Sequence, residues 1–92
     1  MFAFDLSDEL TKDLQKLSTK NKTLTIIFRK KLREIIGNDN TSIDRYKHLR
    51  TPLHELQRIH LTDNQILLFK VFKKENKILF VAIKHWDYAY TI

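Results

Sequence analysis

Cysteine is absent from this chain of 92 residues, and glycine, proline and tryptophan each occur once. Without cysteine there is no disulfide framework and no thiolate zinc site, so a small core has no covalent staple. With Gly37 as the only glycine, no glycine-rich loop can cradle a nucleotide's phosphates. No apolar run approaches the roughly 20 residues that span a bilayer, and Met1 to Leu6 is too short and too soon acidic for a signal peptide. The expectation is a soluble, cytoplasmic protein with no membrane association. His48, His54, His60 and His85 lack the short spacing of a zinc motif, and Asp63, Glu75 and Asp87 are scattered rather than paired. Metal and cofactor are therefore both expected to be none, and no Ser or Cys nucleophile is signalled.

What is present is positive charge, unevenly placed. Seventeen Lys and Arg stand against eleven Asp and Glu, a net +6. Residues 1–44 hold eight basic and seven acidic side chains, and residues 45–92 hold nine and four, so the excess is +1 in the first half and +5 in the second. All four histidines also lie in the second half. A basic half of a small protein points to a polyanion, to an acidic protein partner or to both in turn, against the plainer alternative of a solvated surface.

The pattern predicts one small α+β domain over residues 1–92. Phe2, Phe4 and Leu6 alternate as a short first strand ending at Ser7, which can cap a helix whose first turn holds Asp8 and Glu9. Leu10, Leu14 and Leu17 form one helical stripe. Residues 18–22 interrupt it, and Leu24, Ile27, Phe28, Leu32, Ile35 and Ile36 form a second stripe ending at Gly37, expected as a left-handed helix terminus. From Glu55 the period becomes two, with Gln57, Ile59 and Leu61 facing one way and Leu56, Arg58 and His60 the other. Turns at Thr62-Asp63-Asn64 and at Lys73 to Asn76 then make a three-strand antiparallel meander. Its last two strands are apolar on both faces, and two helices can cover only one. A binding partner or the chain's own ends must cover the second.

Arg58-Ile59-His60 and Lys84-His85-Trp86 flank those apolar runs, and a hairpin would bring the two polar ends together. Imidazoles with a reference pKa of about 6.5 can move protons near neutrality. His60 and His85, expected on adjacent strands, fit an acid and base pair for a metal-independent ribonuclease. Arg58, Arg50 and Lys84 are candidates for phosphate, with Lys47 and His48 beside them. Trp86 is either a base-stacking platform or core. Tyr90 would orient the scissile phosphate or a base.

The order strand, helix, helix, meander, with a basic-histidine strand and a closing His85 to Tyr90, resembles the RelE/ParE toxin superfamily. Tyr46-Lys47-His48-Leu49-Arg50 and Pro52-Leu53 are similar to its approach to the second strand. Arg58-Ile59-His60-Leu61 and Ile66-Leu67-Leu68-Phe69-Lys70 look like the strand pair of its histidine-using YafQ-like branch. Ile66 stands where the RelE type carries an arginine, which favours a histidine-centred mechanism, and the usual glycine is replaced around Thr51. The resemblance implies a RelE-like fold with an N-terminal strand and two-helix hairpin packed on a small antiparallel sheet. It implies the toxin of a type II toxin-antitoxin system, an mRNA endonuclease acting on the ribosome and held silent in a hetero-oligomer by a RelB-like antitoxin. ParE-like relatives instead inhibit DNA gyrase, and a nucleic-acid-binding module without catalysis is the further alternative.

Overall fold

The computed structural model describes residues 1–50 and 53–86. Strand β1 (Ala3–Leu6) leads into helices α1 (Asp8–Lys20) and α2 (Lys22–Ile36), a short 3-10 turn (Ser42–Arg45), and strands β2 (Leu56–Thr62), β3 (Gln65–Phe72) and β4 (Lys77–His85). Ser7 caps α1 by accepting the Leu10 N–H at 3.0 Å, and its hydroxyl donates to the Val81 carbonyl, tying the helix start to β4.

The interruption between the helices is a single residue rather than the stretch 18–22. Ser18 and Thr19 stay helical, and their hydroxyls donate back to the carbonyls of Gln15 and Lys16. Asn21 then leaves the helix at φ −145°, donates its N–H to Leu17 O and accepts from Leu24 N. It closes one helix and caps the next. Gly37, expected left-handed, is right-handed at φ −74°, with its N–H on Arg33 O. An added Cβ would lie 3.2 Å from that carbonyl, so the position is tight but not left-handed. Among the described residues, the left-handed one is Asn76, at φ 54°, in the turn before β4.

The sheet runs β1-β4-β3-β2. The expected antiparallel meander is present, but β1 lies parallel to β4, so the sheet is mixed rather than wholly antiparallel. The helical hairpin carries the chain from β1 across the sheet to β2 at the opposite edge, and the meander then returns it to β4 beside β1. The order also corrects the placement of the two histidine strands: β3 separates β2 from β4, so His60 and His85 are not on adjacent strands.

α1 lies over β4 and α2 over β2. Between helices and sheet, Leu10, Leu24, Phe28 and Ile35 meet Leu67, Phe69, Ile78 and Phe80 in the main core. Each such fully buried side chain contributes about 1.5–3 kcal/mol. On the opposite face a second cluster of Leu49, Ile66 and Leu68 packs with Leu53, Leu56, Val81 and Trp86. The chain's own segment before β2 and the residue after β4 thus cover part of the second apolar face.

Candidate nucleic-acid interface

Register sorts the polar side chains between the two faces. Arg58 pairs with Leu68, and His60 with Ile66, which in turn pairs with Lys84, so Arg58, His60 and Lys84 share the face away from the helices. Leu67 pairs with Ile83, Gln65 with His85, and Ile83 packs against the main core. Alternation therefore puts His85 on the helix side, at the exposed tip of β4.

The segment before β2 runs beside it as a short antiparallel strip. Arg58 N–H donates to Lys47 O at 2.9 Å, Leu49 N–H to Leu56 O at 2.9 Å, and His48 bridges Gln57. Two buried amides hold this strip. Gln57 Nε2 donates to the carbonyls of Ile43 and Tyr46, at 2.9 and 3.0 Å. Asn38 Nδ2 reaches the carbonyls of Glu34 and Ile35 and the Tyr46 hydroxyl, while Asn38 Oδ1 accepts from Arg45 Nη2 at 2.7 Å. Tyr46 stands edge-on to core Phe69, with ring centroids 5.6 Å apart. Asp39 accepts from the backbone N–H groups of Thr41 and Ser42, which holds its carboxyl below the usual range and starts the turn that delivers Arg45.

Together these elements enclose an open cleft of about 540 Å³ lined by Lys31, Arg45, Tyr46, Lys47, Arg58, Ile59, His60 and Trp86. No carboxylate is among those lining residues, and Lys31 meets Glu34 at 3.4 Å along α2. Trp86 closes one side. Its backbone N–H donates to Asn64 O at 2.8 Å, its ring lies 4.5 Å from the His60 ring at a 38° tilt, and the Arg58 guanidinium carbon is 4.9 Å from its centroid. Half-buried on the second cluster, it is both packing and wall. Four cations, an exposed imidazole and an indole face thus share one concavity, which suits a phosphate chain with an unstacked base.

Of the residues singled out in the sequence, Arg58, His60, Lys47 and Trp86 meet in the cleft. Lys84 shares their face but pairs with Glu9 at 3.3 Å. Arg50 and His48 lie on the covering segment, His48 Nδ1 at 2.7 Å from His54 O, and neither lines the cleft. Tyr90 lies outside the described residues, as do Thr51 and Pro52. Lys31, Arg45 and Tyr46 line the cleft without having been singled out. Arg45-Tyr46-Lys47 is a basic-aromatic-basic signal that could have been found; nothing in Arg29-Lys30-Lys31 marks which member turns inward.

Among the described residues, no group of three or more His, Cys, Asp or Glu is placed to hold a metal ion, and no helix is long and apolar enough to cross a membrane. No family model matches the chain. It is 33% identical over 90 residues to "Putative toxin RelE4" of Methanocaldococcus jannaschii, covering 98% of this chain and 92% of that protein. The fold recurs in the YoeB-YefM complex from Staphylococcus aureus, with a TM-score of 0.73 and 18% identity over 91% of this chain and 95% of that one. It recurs also in YafQ from Escherichia coli, with a TM-score of 0.72 and 13% identity over 96% and 97%. With that identity over nearly its whole length and this fold, the chain belongs to the RelE family of type II toxin-antitoxin toxins, within the RelE/ParE superfamily.

Proposed function

We propose that this toxin is a metal-independent endoribonuclease that cuts mRNA on the ribosome and so stops translation. The observation that carries this reading is the meeting of Arg58, His60 and Trp86 in one cleft with three further cations. In such cleavage the ribose 2′-oxygen loses its proton as it attacks the adjacent phosphorus, and the departing 5′-oxygen gains one. The products are a 2′,3′-cyclic phosphate and a 5′-hydroxyl. His60 has the proton-transfer role within the cleft, and Arg58 stabilises the charge growing on the phosphorane oxygens. Trp86 stacks a base and Lys47 holds backbone phosphate. His85, on the other face at the tip of β4, holds RNA beyond the cleft together with Lys84, Arg50 and His48. Tyr90 orients the scissile phosphate.

The silencing partner in this reading is an acidic, extended antitoxin of the RelB type that covers apolar surface and blocks the basic face. The presence of YefM with YoeB in a solved complex of the same fold supports a protein partner.

Adding the purified protein to a cell-free translation reaction, with primer extension on the message, tests the reading. The expected result is discrete breaks at ribosome-occupied codons, reduced about 10²- to 10⁴-fold by His60→Ala and by Arg58→Ala, and less by His85→Ala. Intact message with unimpaired translation would overturn it and direct the next assay to DNA supercoiling.

A further inference from the structure

Arg45 lines the cleft on the wall formed by α2 and the 3-10 turn, whereas Arg58 and His60, given roles above, line it from β2. Although it is exposed, its guanidinium is held in place. Nη2 donates to Oδ1 of Asn38, an amide only 4% exposed, and the guanidinium carbon lies 5.5 Å from the Tyr46 centroid. Asn38 is itself bound to the end of α2 and to the Tyr46 hydroxyl, so the brace is built from buried groups. Among the described residues the guanidinium meets an amide and a ring and no carboxylate, so no ion pair there neutralises its charge. A guanidinium has five N–H donors in a planar fork, and one bond to Asn38 leaves the rest of the fork for an anion. Lys31, one turn before Ile35 on α2, stands on the same wall.

Arg58 and His60 line the same cleft from β2, and Trp86 from the end of β4. A ligand with one anionic group satisfies one of these two sets of cations; a chain with repeated anionic groups satisfies both. A volume of about 540 Å³ lies in the range of small-ligand pockets, roughly 300–1,000 Å³, which suits one or two nucleotides of single strand and not a duplex.

We propose that Arg45, braced by Asn38 and Tyr46, and Lys31 form a second phosphate site, which holds the phosphate next to the one cut and so fixes how a single RNA strand crosses the cleft. This rests on the nuclease reading for its substrate class. Arg45 is a positioning residue: it grips backbone, and its loss weakens binding at every sequence without removing the proton-transfer group.

Trp86 is the only tryptophan and lines the cleft, so its fluorescence reports occupancy directly. The probe is a short 2′-O-methyl oligouridylate, which cannot be cleaved by 2′-hydroxyl attack. It is titrated into the native chain and into Arg45→Gln, Arg45→Lys and, as a control of equal charge change on α1, Lys12→Gln, each checked for folding by circular dichroism. The native chain should bind with a salt-dependent fluorescence change. Arg45→Gln should weaken binding about tenfold and reduce the salt slope by about 0.7, the share of one phosphate on a single strand. Arg45→Lys should keep the slope while losing part of the affinity, because a point charge replaces the fork. If Arg45→Gln matches Lys12→Gln in affinity and slope, the second phosphate site is wrong and the nuclease reading stands. If the native chain gives no salt-dependent change, binding in the cleft fails, and the nuclease reading is left to the cell-free assay.

Discussion

The two faces of the sheet are both apolar yet are covered in different ways. On one face two regular helices lie over Leu67, Phe69, Ile78 and Phe80, all fully buried. On the other, Ile66 and Leu68 are covered by Leu49 and Leu53 of the irregular segment, by Leu56 at the start of β2 and by Trp86. Helices satisfy their own backbone groups and present a broad apolar stripe, so the first face is committed to stability. An irregular segment must bond its backbone to something else. Here it bonds to β2 and to two buried amides, and in doing so it places Arg45 and Lys47 beside Arg58 and His60, while Trp86 comes from the end of β4. The cleft opens where this second face meets the β2 edge, and Lys31 of α2 and Ile59 reach it from the first face.

The sharpest way to test this contrast is to cut into each face separately. Phe80→Ala on the helix side should cost about 3–5 kcal/mol in urea unfolding, since Phe80 packs against Phe4, Phe28 and Phe69 and the space cannot readily collapse. For a domain of this size that is a large fraction of the usual stability. Trp86→Ala on the other face, where the ring is only half-buried, should cost less stability while reducing RNA binding. Equal losses from the two changes would erase the distinction between the faces.

A smaller effect is expected where the faces are joined. Gln57 points to the helix side of β2, yet it holds the carbonyls of Ile43 and Tyr46 from the cleft wall. Gln57→Ala leaves two buried acceptors without a donor and should cost about 1–3 kcal/mol, with cleavage falling by more than the unfolded fraction explains. Thermal unfolding and RNA cleavage measured on the same sample separate the two effects.

Asp39 provides the smallest and most specific test. Its carboxyl is held below the ordinary range by the N–H groups of Ser42 and Thr41, so it titrates at a lower pH folded than unfolded. The resulting stabilisation is present above the unfolded value and is lost as pH falls through the folded value. At neutral pH Asp39→Asn should therefore melt slightly earlier than the native chain, and the two melting curves should converge under acid conditions. A gap independent of pH would mean that the charge contributes nothing to the turn carrying Arg45.

The sequence by itself determined what is local. Apolar spacing set the two helices, Ser7 was legible as a cap, and the alternation from Glu55 placed Arg58 and His60 on one face, because a strand's side-chain period is fixed by its backbone. The signals that misled were also local ones. The polar run 18–22 looked like a break, but its hydroxyls bond within the helix, and Gly37 looked left-handed where the helix ends without it. Only the tertiary structure decided that β1 joins parallel beside β4, that β3 separates the two histidine strands, and that His85 faces away from His60. It alone decided that Lys31 of three consecutive cations, together with Arg45, lines the cleft. Strand order and the meeting of a helix with a strand depend on which apolar surfaces pair across long stretches of chain, and residue spacing carries no record of that choice.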